Sequence, residues 1–168
     1  QEKNGDFLWE KIQGLTYGEH IGRATLFPGV RRFLWLCNQR NIKVKIVSHK
    51  TKFGHHDKEF YNLREQARKF LMVNNIFGCS KNLISSLQFY DTREAKITAI
   101  RDENFAIFID DLREVLEDSF FPRKTQGYLF NGEKYDKTHK ICIIQSWSEL
   151  ETIIFKKFRE SELVALCK

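Results

Sequence analysis

The stretch that decides the fold is Phe105-Ala-Ile-Phe-Ile-Asp-Asp-Leu112, in which five apolar residues run without a break into two acids. A short apolar run bounded by polar residues is typical of a strand buried on both faces of a parallel sheet. The apolar spacing after Asp111 predicts that a helix begins there. Because ligands bind at the carboxyl ends of strands in open α/β sheets, Asp110 and Asp111 are candidate ligand-binding residues.

The pair of acids has two interpretations. Two adjacent carboxylates repel each other unless they share a cation or a proton, and Mg²⁺ prefers oxygen ligands of this kind. The pattern therefore predicts that Asp110 and Asp111 are metal ligands for Mg²⁺. The alternative is helix capping, since Asp111 with Glu114 three residues later fits a capping box. A cap accounts for one acid and does not require the second.

Length and composition limit the class of protein. A chain of 168 residues predicts one domain with a sizeable core, and no apolar run approaches the ~20 residues of a membrane span. Four cysteines lie far apart without a CxxC pair, which argues against structural zinc and favours a reducing, cytoplasmic location. The net charge is +6, and the lysines and arginines are scattered among acidic residues along the chain. It suits a small phosphorylated substrate and leaves nucleic-acid binding open, while nothing specifies the oligomeric state.

Strands and helices alternate along the chain. The predicted strands cover residues 42–47, 87–90, 105–109, 127–130 and 141–144, and the helices between and after them include residues 30–39, 58–73, 92–101 and 148–159. Such alternation predicts a Rossmann-like α/β fold, with the strands in one parallel sheet and helices on both faces. No GxGxxG follows a predicted strand, so the dinucleotide-binding fingerprint is absent.

Polar residues lie at the predicted strand ends in a fixed order. Ser48 comes first, Lys96 lies on a helix between strands, and the acid pair comes last. Taken singly, Ser48 fits a cap or turn and Lys96 fits a solvated helix face. Taken together, a hydroxyl that donates to phosphate, an ammonium that offsets charge and two acids that hold Mg²⁺ predict a phosphoryl-transfer pocket.

Three segments resemble motifs of the haloacid dehalogenase (HAD)-like superfamily. Val44-Lys-Ile-Val-Ser48 is similar to its second motif, Lys96 to the basic residue of the third, and Phe105-Ala-Ile-Phe-Ile-Asp-Asp111 to the fourth. The turn Phe27-Pro-Gly-Val30 is also similar to the turn that precedes the second motif in this family. The resemblance covers about residues 27–131.

The resemblance implies a HAD-like fold and a Mg²⁺-dependent phosphatase that acts on a small phosphate ester through an aspartyl-phosphate. Ser48 and Lys96 would then be catalytic residues that also bind the substrate phosphate. His49 and Lys50, which follow Ser48 at the rim of the pocket, would bind substrate as well. Asp110 and Asp111 would be the metal ligands.

The first motif of the family, a strand followed by Asp-x-Asp, is missing from these 168 residues. Asp91 follows an apolar run, but Arg93 stands where the second acid is needed, so Asp91 is predicted to cap the next helix together with Glu94. We therefore expect the nucleophile motif to lie upstream of Gln1 or to be supplied otherwise. Residues 1–26 would form a helical cap segment, and residues 27–168 a core that lacks its first strand.

Two functions follow from the missing motif. The chain as written is expected to be unstable alone and to hydrolyse phosphate esters poorly, although the family resemblance favours a phosphohydrolase. The alternative is a catalytically inactive HAD-like pseudoenzyme that acts as a binding module. A response-regulator receiver domain uses the same residue types in the opposite order, and so ranks third. In the cap, Tyr17 is expected to pack against the body or to close over a substrate.

Overall fold

The computed structural model describes the backbone of residues 2–54, 61–130 and 141–166. The helices are α1 (Glu2–Tyr17), α2 (Val30–Gln39), α3 (Leu63–Val73), α4 (Arg93–Glu103), α5 (Arg113–Leu116) and α6 (Trp147–Leu166), with a short 3₁₀ helix at Ile21–Arg23. The strands are β1 (Lys45–His49), β2 (Ser86–Tyr90), β3 (Ile107–Asp110), β4 (Gln126–Phe130) and β5 (Cys142–Ile144).

All the paired strands run parallel, which confirms the predicted α/β class with parallel sheets and flanking helices. The prediction of one continuous sheet is wrong for the described residues. They form a two-stranded sheet, β1-β2, and a three-stranded sheet, β3-β4-β5. Apolar runs predict where strands lie, but backbone hydrogen bonds decide which strands share a sheet. Within the described strands, β1 pairs with β2 alone and β3 with β4 alone.

The chain divides into two compact units. The first unit comprises residues 1–26 and 34–99, and the second comprises residues 27–33 and 100–168. The division therefore falls inside α2 and inside α4. The first 26 residues group with the β1-β2 sheet, and the expected separation of a cap segment from a core at residue 27 stays a prediction.

Each unit has its own buried apolar side chains. Those of the first unit lie on α2, α3, α4, the two strands and the segment between α3 and β2, and they include Cys37, Val47, Leu63, Ile76, Ile84, Leu87 and Ile97. Those of the second unit include Phe33, Phe108, Val115, Tyr128, Leu129, Ile144, Leu150 and Phe155. Burial raises the pKa of the Cys37 thiol to about 11, so this side chain stays neutral and packs as an apolar group.

Short sequence signals begin and end the helices. The Phe27-Pro-Gly-Val30 turn precedes α2 as predicted. Its Gly29 has φ +87°, and the Val30 N–H donates to the Phe27 carbonyl at 3.2 Å. Proline followed by glycine suits such a turn because each supplies the backbone angle that its position needs. Asn41, Asn75 and Asn104, each with positive φ, follow the ends of α2, α3 and α4.

Several predicted bounds shift in the structure. α3 begins at Leu63 instead of residue 58, because Asn62 caps it by accepting a hydrogen bond from the Glu65 N–H at 3.2 Å. α6 is longer than predicted. Residues 55–60 and the predicted polar loop 131–140 lie outside the described residues. No described helix is long and apolar enough to span a membrane.

The start of β4 offers a test of the second unit. The Thr125 hydroxyl is buried and donates to the Phe105 carbonyl at 2.7 Å, just before the strand register begins. We predict that Thr125→Val lowers the free energy of unfolding by about 1–3 kcal/mol, because a part-buried carbonyl loses its donor. Urea denaturation measures the change. Thr125→Ser keeps the hydroxyl and should lose less; an equal loss in both variants would contradict this role of the hydrogen bond.

Candidate functional site

The carboxyl ends of β1 and β2 lie side by side in the first unit. The parallel register places Ser48 opposite Phe89 and His49 opposite Tyr90. The pairing continues one residue further, since the Lys50 N–H donates to the Tyr90 carbonyl at 2.9 Å. Residues 48–50 are thus extended backbone held against the neighbouring strand, and their side chains start from this edge of the sheet.

Ser48 lies within β1, one residue before its end, and not in a turn or at a helix start. Its side chain is half-buried, and its hydroxyl makes no hydrogen bond within the described part of the chain. The capping interpretation of Ser48 is therefore wrong. A strand hydroxyl at a carboxyl edge, without an intramolecular partner, can donate to a ligand oxygen.

His49 and Arg64 connect the two strand ends. The Nε2 atom of His49 lies 3.1 Å from the Asp91 carbonyl, which only accepts, so Nε2 carries the proton in this contact. Arg64 of α3 donates from Nε to the Lys50 carbonyl at 2.8 Å and from Nη2 to Asp91 Oδ1 at 2.6 Å. One guanidinium therefore holds the residues that follow both strands.

The predicted cap of α4 requires a correction. The residue that caps this helix is Thr92, whose hydroxyl accepts from the Ala95 N–H at 3.1 Å, whereas Asp91 is engaged by Arg64. Glu94 contributes differently: a hydrogen bond from its own backbone N–H, and then one from the Thr92 hydroxyl, lowers the pKa of its carboxyl group. The sequence predicted the start of α4 within one residue, but it predicted the wrong capping residue. Asp91 does not cap the helix because its carboxylate binds Arg64, which is distant in sequence.

Lys50 is the first residue after β1, and its ammonium lies against an aromatic ring. The Nζ atom is 3.9 Å from the centre of the Tyr17 ring, which belongs to α1. Burial lowers the pKa of this ammonium, since desolvation disfavours its charged form. The expectation that Tyr17 packs against the body of the protein agrees with this contact.

Lys96 lies in the first turn of α4, where its N–H donates to the Thr92 carbonyl at 3.2 Å. The residue is only 6% exposed. A solvated helix lysine is therefore excluded, because lysine is almost never buried to this degree unless the ammonium is paired. The position is in the first turn of α4, the helix that follows β2, as the sequence predicts for the basic residue.

The two acids of the second unit have different environments. Asp110 is the last residue of β3 and is 8% exposed, whereas Asp111 is exposed. Asp110 Oδ1 accepts from the Leu112 N–H at 3.0 Å, which turns the chain directly after the strand. The capping box is wrong, because the N-cap of α5 is Leu112 and it makes no side-chain cap bond.

The donor chemistry of this acid pair fits a hard cation. Carboxylate oxygens are the ligands that Mg²⁺ takes, and Mg²⁺ keeps several waters and substrate oxygens as its other ligands. The described residues contain no cluster of three or more His, Cys, Asp or Glu able to hold a metal. Two neighbouring carboxylates with water suit Mg²⁺ better than they suit zinc, which favours nitrogen and sulfur ligands.

The structure brings together some of the predicted residues. Ser48, His49 and Lys50 share one sheet edge in the first unit, and Lys96 lies on the helix that follows β2. Asp110 and Asp111 belong to the second unit, so their convergence with Ser48 stays a prediction. Sequence reasoning missed Arg64, because a basic residue on an amphipathic helix looks like any solvated one.

Comparison with known proteins gives one structural relative. The chain is similar to the crystal structure of a HAD-superfamily hydrolase from Ehrlichia chaffeensis, at 17% sequence identity and a TM-score of 0.53. The similarity covers 79% of this chain and 58% of that protein, so the chain spans less than two thirds of its relative. No family profile and no curated protein matches. At this identity the similarity shows the fold alone, and the fold is HAD-like.

The two hydrogen bonds of Arg64 can be tested with one variant at Arg64 and one at Asp91. We predict that Arg64→Gln lowers the free energy of unfolding by about 1–3 kcal/mol, because the part-buried Lys50 carbonyl loses a charged donor. Asp91→Asn should lower it by less than about 1 kcal/mol, because the Asp91 side chain is mostly exposed and its ion pair is screened by water. Urea denaturation of both variants is the measurement. A larger effect of Asp91→Asn would contradict this assignment.

Proposed function

We propose that the chain is a HAD-like phosphohydrolase, a Mg²⁺-dependent phosphatase that acts on a small phosphate ester. The observation that carries the proposal is the buried Asp110 at the carboxyl end of β3, followed directly by the exposed Asp111. The carboxylate of Asp110 is oriented by its own turn and is not consumed by a helix cap. Two neighbouring carboxylates repel each other, and a divalent cation that both of them bind offsets this repulsion, which supports a metal role.

Each residue of the first unit has a role in this proposal. The Ser48 hydroxyl donates a hydrogen bond to an oxygen of the transferred phosphate. The Lys96 ammonium, held inside the fold, offsets the negative charge on the phosphate. His49 and Lys50 contact the rest of the substrate at the same edge. Catalysis of this kind depends on positioning and on fixed charges that need no rearrangement during the reaction.

Asp110 and Asp111 hold Mg²⁺ in the proposal. The ion supplies positive charge that draws the phosphate oxygens into place and offsets charge that develops during transfer. The turn at Leu112 restrains Asp110, so this carboxylate binds without a large loss of side-chain entropy. Asp111, which is exposed, has the freedom to bind the ion directly or through water.

The alternative is a binding module without catalysis. The 168 residues contain no Asp-x-Asp, so none of their acids has the pattern of the family's nucleophile and general acid. The proposal assigns phosphate binding to Ser48 and Lys96 and metal binding to the acid pair, but in this pattern none of them attacks phosphorus. This observation favours a pseudoenzyme as the second candidate function.

Metal binding is tested by removing charge without removing the turn. We predict that Asp110→Asn weakens Mg²⁺ or Mn²⁺ binding by about tenfold or more, because one unit of ligand charge is lost next to the ion. The asparagine oxygen still accepts from the Leu112 N–H, so the turn after β3 is retained. Calorimetric titration with each metal measures the affinity.

The matched control for Asp110 is Asp118. Its Oδ1 accepts from the Phe120 N–H at 2.8 Å, which is the same kind of turn away from the proposed site. Asp118→Asn removes one negative charge from the same unit and should leave the metal affinity unchanged. Equal affinity in the wild type and Asp110→Asn would contradict the metal site.

Hydrolysis is tested on two proteins. We predict that the 168-residue chain turns over a generic aryl phosphate poorly, because its residues place no carboxylate nucleophile. The same chain preceded by an apolar segment that ends in Asp-x-Asp should hydrolyse the ester in the presence of Mg²⁺ and not after chelation. Robust turnover by the shorter chain would show that the nucleophile is misassigned. An inert longer chain that still binds Mg²⁺ would favour the pseudoenzyme.

A further inference from the structure

Lys50 is a half-buried cation whose side chain contacts an aromatic ring. Its ammonium lies 3.9 Å from the centre of the Tyr17 ring, and no carboxylate pairs with it within the described part of the chain. The backbone on both sides of the side chain is fixed, since the Lys50 N–H donates to Tyr90 and its carbonyl accepts from Arg64. The position of this side chain is therefore set in advance of any ligand.

The ring only partly compensates the charge. A cation on an aromatic face gains less free energy than a buried ammonium loses with its hydration. The lowered pKa of Lys50 has this desolvation as its cause. An anion bound next to Nζ would restore the charged form, as an opposite charge does for any desolvated group.

The charges around Lys50 leave the site positive. Arg64 from α3 and Asp91 from the end of β2 form an ion pair with each other at 2.6 Å. His49 is bound to the Asp91 carbonyl and offers no negative charge. The pair of Arg64 and Asp91 is neutral together, so neither of these two residues offsets the charge of the Lys50 ammonium.

The spacing along β1 relates Lys50 to the proposed phosphate site. Residues 48–50 are extended, and residues two apart on an extended chain face the same side with Cα atoms about 6.6 Å apart. Ser48 and Lys50 are such a pair. A small molecule with two anionic groups separated by a few bonds has the length to reach both side chains.

We propose that Lys50 and Tyr17 form an anion subsite, which takes a second acidic group, a carboxylate or another phosphate, on the leaving part of the substrate. This inference rests on the proposed function, because it takes Ser48 as the residue that holds the transferred phosphate. The substrate class is then a small phosphate ester with a second acid, in preference to a neutral sugar or alcohol phosphate.

Paired probes test the subsite by binding, without any turnover. Glycerol 3-phosphate and 3-phosphoglycerate have the same carbon skeleton and differ in one carboxylate. The intact chain should bind the carboxylated ester about tenfold more tightly, because a hydrogen bond between charged groups is worth that much. Lys50→Gln should reduce the ratio of the two affinities to about one, and Lys50→Arg should retain most of it. Calorimetric titration measures both affinities.

The same loop supplies the control. Lys52 lies two residues further along, with its Nζ 5.4 Å from the Phe53 ring, and it is exposed. Lys52→Gln removes the same charge from the same loop and should leave the ratio unchanged. The Lys50 ammonium signal in NMR spectra of the unmodified chain gives a readout that needs no variant: 3-phosphoglycerate should shift it and glycerol 3-phosphate should not.

The outcomes separate the subsite from the proposed function. Equal binding of the two esters, with an unshifted Lys50 signal, would overturn the subsite and leave phosphate binding at Ser48 intact. An equal loss of preference in Lys50→Gln and Lys52→Gln would also overturn it, since the effect would then be general charge. Failure of the chain to bind either ester would overturn both the subsite and the phosphate site of the proposed function.

Discussion

The parallel hydrogen bonding between β1 and β2 is the constraint on which the candidate site of the first unit depends. Because the register pairs His49 with Tyr90, and continues to Lys50, the residues that leave both strands begin at the same edge. Ser48 and Lys50 then share one face of extended backbone. Lys96 lies in the first turn of α4, the helix that begins at Arg93 shortly after β2 ends. A shift of one residue in the register would send Ser48 to the opposite face.

The three basic side chains around this edge have different surroundings. Arg64 binds both the Asp91 carboxylate and the Lys50 carbonyl. Lys96 is buried at 6% exposure, where an ammonium requires a partner. Lys50 lies against an aromatic ring and has no carboxylate among the described residues. Lys50 is therefore the cation of this edge at which we propose that a ligand anion binds.

In the second unit, Asp110 and Asp111 differ in their contacts. Asp110 ends β3, and its carboxylate orders the turn to Leu112. Asp111 is exposed and has no part in the N-cap of α5. An acid that shapes its own turn keeps one orientation at low entropic cost, which is the property that a ligand position needs. The same contact therefore orders the turn and holds one carboxylate in place beside an exposed one.

The sequence by itself determined the secondary structure, the parallel α/β class and the strand-end positions of Ser48 and Asp110. These depend on local signals: apolar runs for buried strands, the Phe27-Pro-Gly-Val30 turn for the start of α2, and asparagine after helices. Only the tertiary structure decided that the strands pair in two sheets, that Arg64 takes Asp91 from the predicted cap, and that Tyr17 covers Lys50. Partners such as Arg64 and Asp91 are 27 residues apart in sequence. Such partners meet only when the chain packs in three dimensions, and the local pattern of apolar residues does not predict them.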